Sequence, residues 1–153
     1  MTVRPARAED REFVLAVAGR LSEFGVPPWR TADEIVAGEV RVLAAFFRAP
    51  PEGAAMLVAE DSTHGPLGFA YLETQTDFFT RRRHSHLGVL AVSREAEGRG
   101  AAGALLSAAE AWARSRGHGM LTLNVFADNR HARAVYDRRG FSPETVRYVK
   151  SLE

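Results

Sequence analysis

The segment that most constrains this chain is a strand that enters a glycine-rich turn and opens directly into a helix. It reads Leu90-Ala-Val-Ser-Arg-Glu-Ala-Glu-Gly-Arg-Gly-Ala-Ala-Gly-Ala-Leu-Leu106. Gly98, Arg99 and Gly100, followed by the small residues Ala101, Ala102 and Gly103, let backbone approach a ligand closely. The unpaired N–H groups of the first helical turn and the positive end of the helix dipole then favour a phosphate. A plain tight connection between strand and helix would use the same glycines, so the turn has two readings on its own. It is not a Walker loop, because no Gly-Lys-Ser/Thr follows. Nor is it a dinucleotide fingerprint, since no acidic residue ends the next predicted strand, Leu121 to Phe126.

The flanking sequence supplies elements in a definite order. Thr2 to Ala6 predicts a short strand. Phe13, Val14, Val17 and Leu21 then recur at helical spacing until Gly25-Val-Pro-Pro-Trp29 breaks the pattern. Thr31-Ala-Asp-Glu34 has the form of a capping box and predicts a second helix over Ile35 to Phe47, ended by Pro50, Pro51 and Gly53. Strands are expected at Ala55 to Glu60, Leu67 to Thr76 and His86 to Val92. The helix after Gly100 should run to about Arg116, with Ala101, Leu105, Ala108 and Trp112 on one face. Leu121 to Phe126 predicts a strand, Asn129 to Arg139 a helix stopped by Gly140, and Thr145 to Val149 a last strand. A meander of strands followed by alternation with helices implies an α/β (α+β) fold. Its expected form is a mixed, mostly antiparallel sheet flanked by about four helices, in one domain over residues 1–153.

Composition removes several classes of function. The chain of 153 residues has no cysteine, which excludes disulfides, thiolate zinc sites, iron–sulfur clusters and an acyl-cysteine intermediate. Twenty basic and nineteen acidic residues give a net charge of +1, which offers no reason to invoke nucleic acid or an anionic membrane. No apolar run approaches the roughly 20 residues that span a bilayer. The patch Phe13 to Ala18 follows Glu9, Asp10 and Glu12, the wrong flank for a signal peptide, so a soluble cytoplasmic protein is expected. Lys150 is the only lysine among the twenty basic residues, but arginine is spread along the whole chain and carries no functional weight.

A second constellation sharpens the reading of the turn. Asn129, Ala132 and Tyr136 fall at i, i+3 and i+7 of one predicted helix and therefore on one face, with Gly140-Phe141 closing it. A small alanine between an amide and a phenol leaves a groove with a polar group at each end. An N-cap asparagine and a half-buried core tyrosine would give the same residues. Taken together, the two segments resemble the GNAT superfamily of N-acetyltransferases. Its members carry Gln/Arg-x-x-Gly-x-Gly/Ala at the pyrophosphate turn and Asn-x-x-Ala-x-x-x-Tyr-x-x-x-Gly-Phe beyond it. Here the first reads Glu97-Gly-Arg-Gly100-Ala-Ala102, and the second Asn129-Arg-His-Ala132-Arg-Ala-Val-Tyr136-Asp-Arg-Arg-Gly140-Phe141. The likeness in element order covers nearly the whole chain, and its diagnostic part spans residues 86 to 141.

The resemblance implies an N-acetyltransferase that takes acetyl-CoA as acyl donor and needs no metal. The amides of Gly98 to Gly103 would hold the pyrophosphate, and the backbone of Leu90, Ala91 and Val92 would pair with the pantetheine arm like an added strand. Asn129 would hydrogen-bond the arm beside Ala132, and Tyr136 would sit near the sulfur as general acid. Glu97 departs from the family pattern by placing a carboxylate beside a pyrophosphate, with Arg99 as the residue expected to offset it. Without cysteine, transfer would be direct attack by the amine in a ternary complex.

For the base, His84, His86, Gly88, Leu90 and Val92 share one face if the strand alternates regularly. His86 lies where some relatives carry a glutamate base, and Gly88 where others carry an acid. A solvent-facing histidine at the strand entrance after Arg81-Arg82-Arg83 is the competing description of His86. Glu73 is a weaker candidate on the neighbouring strand. The acceptor would be walled by Pro27, Pro28 and Trp29 and by Asp77, Phe78 and Phe79. A small-molecule primary amine is the leading acceptor. A protein N-terminus or lysine is the alternative, and a non-catalytic acyl-CoA-binding module is the reading from another class. The resemblance also leaves room for a homodimer.

Overall fold

The computed structural model describes residues 1–153. Five strands form one sheet in the order of the chain: β1 (Thr2–Pro5), β2 (Ala55–Asp61), β3 (Gly65–Thr76), β4 (Arg83–Val92) and β5 (Leu121–Leu123). The first four pair antiparallel, and β5 joins β4 in parallel. Helices α1 (Arg11–Ala18) and α2 (Ala32–Arg48) lie between β1 and β2 in sequence. Helix α3 (Ala101–Ser115) makes the crossover from β4 to β5, and α4 (Arg130–Arg138) follows β5. This is the mixed, mostly antiparallel sheet with four helices that the element order implies.

The central strands read as continuous apolar runs because both of their faces are buried. Met56, Val58, Phe69, Tyr71, Val89 and Ala91 pack against Val14, Val17 and Ala18 of α1 and Leu43 of α2. The alternate residues Leu57, Ala59, Ala70, Leu72 and Leu87 pack against Ala101, Leu105, Leu106 and Ala109 of α3. The apolar face of α3 is therefore centred on Leu105, Leu106 and Ala109, while Ala108 and Trp112 sit at its margin only partly buried. Helix α2 starts as its sequence requires: Thr31 Oγ1 accepts from Glu34 N–H at 3.1 Å, and Glu34 Oε2 accepts from Thr31 N–H at 3.0 Å. Thr31→Ala removes the Oγ1 contact and keeps the backbone N–H that donates to Glu34, and should lower unfolding stability by about 1 kcal/mol, read from urea denaturation, with no change in the denaturant slope.

Three expectations change. The predicted strand Leu121–Phe126 stops at Leu123, where its pairing with β4 ends opposite Leu87. The predicted last strand Thr145–Val149 does not form. Residues 142–153 contain no helix or strand, and Tyr148 is 92% exposed. Strand propensity is expressed only against a paired edge and a buried face, and this segment has neither. Third, regular alternation along β4 fails at Gly88. Tyr71 pairs Val89 and Leu72 pairs Leu87, so Gly88 is the extra residue of a β-bulge. Beyond it the faces exchange: Leu87 shares the α3 side with Leu90 and Val92, while His86 lies on the α1–α2 side with Val89 and Ala91.

Candidate active site

The glycine turn has the geometry that its composition predicts. Gly98 and Gly100 have φ of +73° and +85°, where a side chain would strain the backbone, and Gly100 is the N-cap of α3. A Cβ added at Gly98, Gly100 or Gly103 would meet nothing within 4 Å, so the space in front of the turn is open. The N–H groups of Gly98, Gly100, Ala101, Ala102 and Gly103 make no hydrogen bond within the chain, whereas Ala104 N–H already reaches Gly100 O. Five free donors converge at a helix N-terminus beside exposed glycines. Such a cradle fits a diphosphate in charge and in room.

The strand that leads into this turn carries a free edge. β5 pairs β4 only from Ser85 to Leu87, and β4 continues to Val92 with no neighbour on that side. Ser93 N–H donates to Leu67 O on β3, which fixes the phase of the ladder. By antiparallel alternation Ala91 and Val89 exchange bonds with β3, and the N–H and C=O of Leu90 and Val92 point to the open side. Of the three residues expected to pair with an extended arm, Leu90 can do so through both backbone groups and Val92 through its N–H, its carbonyl being held by Arg20. Ala91 cannot, because its backbone groups face Phe69.

Arg20 also reaches this edge. It lies in the 3₁₀ turn Gly19–Ser22 after α1, and its Nη1 donates to Val92 O at 2.7 Å. The same guanidinium pairs with Glu97 through Nη2 and with Glu23 at 3.2 Å. Arg99, the expected counter-charge for Glu97, instead places its Nη2 3.2 Å from His64 Nδ1. Sequence reasoning missed Arg20 because 77 positions separate it from Glu97 and no local spacing marks the pair.

On α4, Asn129 is the N-cap: its Oδ1 accepts from Ala132 N–H at 3.1 Å, leaving the amide –NH₂ free. Tyr136 stands about one turn beyond Ala132 on the same helix, its ring edge-on to Phe141 at 5.7 Å. Burial pushes its phenol above the usual value, and its hydroxyl makes no hydrogen bond within the chain. Arg139 ties α4 to α3 through Gly103 O and Ser107 Oγ. The loop after α1 closes over the start of α4: a Cβ on Gly25 would come within 2.7 Å of Asn129 N.

His86 is buried at the inner end of this region, not solvent-facing, while Arg81, Arg82 and Arg83 before it are exposed. Its Nδ1 lies 2.8 Å from Thr122 Oγ1 on β5. Burial lowers its basicity below the ordinary histidine value, with Glu73 opposing the shift from directly across β3. Gly88, at the bulge, is closely approached on this same side: a Cβ there would crowd the Tyr71 ring at 3.3 Å and lie 3.6 Å from Glu73 Oε1. Glu39 of α2 faces the cluster, its carboxyl raised by burial and by the charge of Glu73. Neither Glu39 nor Glu73 has a basic partner. Beside Glu39, a groove of about 320 Å³ is lined by Arg30, Ile35, Val42 and Phe126. Of the expected acceptor wall, Phe78 and Phe79 are 88% and 77% exposed. Asp77 is spent on its own turn, accepting from Thr80 N–H and Oγ1 at 2.7 and 2.8 Å.

The free edge of β4 and the unpaired donors at the start of α3 follow one another directly along the chain. The family model of the Acetyltransferase (GNAT) family matches residues 19–141. An uncharacterized N-acetyltransferase of Bacillus subtilis (strain 168) is 30% identical over 147 residues, covering 95% of this chain and 92% of that protein. Among solved structures, an acetyltransferase candidate from Pyrococcus furiosus superposes with TM-score 0.80 at 22% identity, covering 99% of each chain. The aminoglycoside antibiotic 6'-N-acetyltransferase of Acinetobacter haemolyticus superposes with TM-score 0.68 at 18% identity over 100% of each chain, a likeness of fold. The chain belongs to the GNAT family of acetyltransferases. The family's donor is acetyl-CoA, and no helix here is long and apolar enough to cross a membrane.

Proposed function

We propose that residues 1–153 act as one N-acetyltransferase domain that moves the acetyl group of acetyl-CoA to a primary amine of a small molecule by direct attack. The observation that carries this reading is the continuity between the free N–H groups of Gly98, Gly100, Ala101, Ala102 and Gly103 and the open edge at Leu90 and Val92. Diphosphate and extended arm could be held along one path by backbone alone. The donor supplies an activated thioester at the end of that path. Asn129 offers its amide to the arm beside Ala132, and Tyr136 holds a proton on its phenol for the departing sulfur.

His86 takes the proton from the attacking amine. With Nδ1–H donating to Thr122 Oγ1, Nε2 carries the lone pair, and burial keeps the ring neutral near pH 7. The unpaired carboxylates of Glu39 and Glu73 would attract the acceptor as an ammonium ion, which favours an amine over an alcohol. Free-thiol release from acetyl-CoA, screened against amines, polyamines, amino acids, aminoglycosides and peptides, tests the reading. Turnover with a small amine is expected. Turnover with peptides alone would replace the acceptor class, and failure to bind acetyl-CoA in calorimetry would overturn the proposal.

The acid limb of the rate profile gives a further check. The base works only when neutral, so activity should fall as pH drops through a value below the ordinary 6.5 of histidine. His86→Ala should flatten that limb and lower the plateau by roughly 10²-fold. A limb that survives the substitution assigns the proton to another group. Because folding lowers this value, the unfolded chain takes up the proton first, so the stability linked to neutral His86 is fully present above the unfolded value and is lost as pH falls from there through the lower folded value.

A further inference from the structure

Glu97 stands one residue before Gly98, so an acidic side chain begins the turn whose N–H groups are left without partners in the chain. Left alone, that charge would repel a diphosphate at the distance where screening by water is incomplete. Arg99 does not answer it, being engaged near His64. Arg20 does. Its guanidinium, only 17% exposed, lies between Glu97 and Glu23, and Arg94 pairs with Glu23 at 2.6 Å. The four side chains, two guanidinium groups and two carboxylates, sum to zero charge. The remaining arm of Arg20 holds Val92 O at 2.7 Å, at the point where the open edge of β4 gives way to the turn.

Resting on the acetyl-CoA reading above, we infer that Arg20 is a positioning residue for donor binding: it neutralises Glu97 and draws that carboxylate toward the end of α1, so that the turn from Gly98 presents donors to the diphosphate without an opposing charge. Arg20 acts through Glu97 and Val92 rather than by touching the donor. The pair substitutes for the Gln or Arg that the family pattern places at position 97, moving the positive charge onto a different element.

Isothermal titration of the full chain with acetyl-CoA tests this. Arg20→Gln should weaken binding about 10-fold at low salt, and the deficit should shrink as ionic strength rises from about 0.05 to about 0.5 M. Glu97→Gln should bind acetyl-CoA at least as tightly as the parent. The double variant R20Q/E97Q should return to within about 3-fold of the parent, since removing the uncompensated charge removes the defect. Arg20→Lys, which keeps the charge and perturbs folding least, should also stay within about 3-fold. A double variant as weak as Arg20→Gln, or a deficit indifferent to salt, would show that Arg20 only braces the fold and would overturn the inference. Binding by Arg20→Gln equal to the parent would overturn it too. A parent protein that binds no acetyl-CoA fails earlier and refutes the donor reading itself, which separates the two failures.

Discussion

Tyr136→Phe should lower kcat by roughly 10- to 1000-fold while leaving the affinity for acetyl-CoA within a few-fold of the parent. The substitution removes one oxygen and little else. The ring packs edge-on against Phe141 at 5.7 Å and borders the α3 core, and phenylalanine can repeat both contacts. No hydrogen bond within the chain is lost, so thermal stability should hold. What disappears is a proton. Burial raises the Tyr136 value, which keeps the phenol protonated at neutral pH and makes it an acid that yields its proton only to a strongly basic partner. A departing thiolate is such a partner when it leaves in a site with little water. An unchanged kcat in steady-state thiol-release assays would remove Tyr136 from the chemistry.

Gly100→Val should cost both stability and donor affinity, and the two losses can be separated. At φ +85° a branched side chain strains the backbone by about 1–3 kcal/mol. Nothing within 4 Å obstructs the new Cβ, so strain accounts for the whole stability loss. Affinity for acetyl-CoA should fall by at least about 30-fold, because the side chain would stand in the open space before the cradle, where each phosphate contact is charge-assisted. Gly117→Val provides the matched control. Gly117 has φ +74° and equally open surroundings, but it lies just past the C-terminal end of α3, at the opposite end of that helix from the turn. It should lose similar stability in thermal unfolding and no affinity in calorimetry. Equal affinity losses in both variants would mean that strain alone was being measured and that the turn does not hold the donor.

The parts of the site legible in the sequence are those whose physics is local. Gly98 and Gly100 adopt positive φ, Thr31 and Glu34 form the capping box, and Asn129 caps the helix that carries Tyr136. Each depends on residues within one turn of chain. The errors fall where a partner from elsewhere decides. His84, His86, Gly88, Leu90 and Val92 alternate in sequence, yet His86 ends on the opposite face from Leu90 because the bulge at Gly88 inserts an unpaired residue. The segment Thr145–Val149 has the composition of a strand and lacks an edge to join. Arg99 is the basic residue nearest Glu97 in sequence, but Arg20 is the one that pairs with it.

The sequence by itself determined the order of elements as far as the Asn129–Tyr136 helix, the positive-φ glycine turn and the family that the two resemble, since backbone conformation and capping are set by near neighbours. It also determined that no cysteinyl intermediate can form. Only the tertiary structure decided which edge of β4 is free, that Ala91 is turned away from it, and that His86 is buried opposite Glu73. It alone paired Arg20 with Glu97 and left Glu39 and Glu73 without a cation. Those outcomes follow from strand register and from charges brought together across the fold. Neither has a signature in a window of adjacent residues.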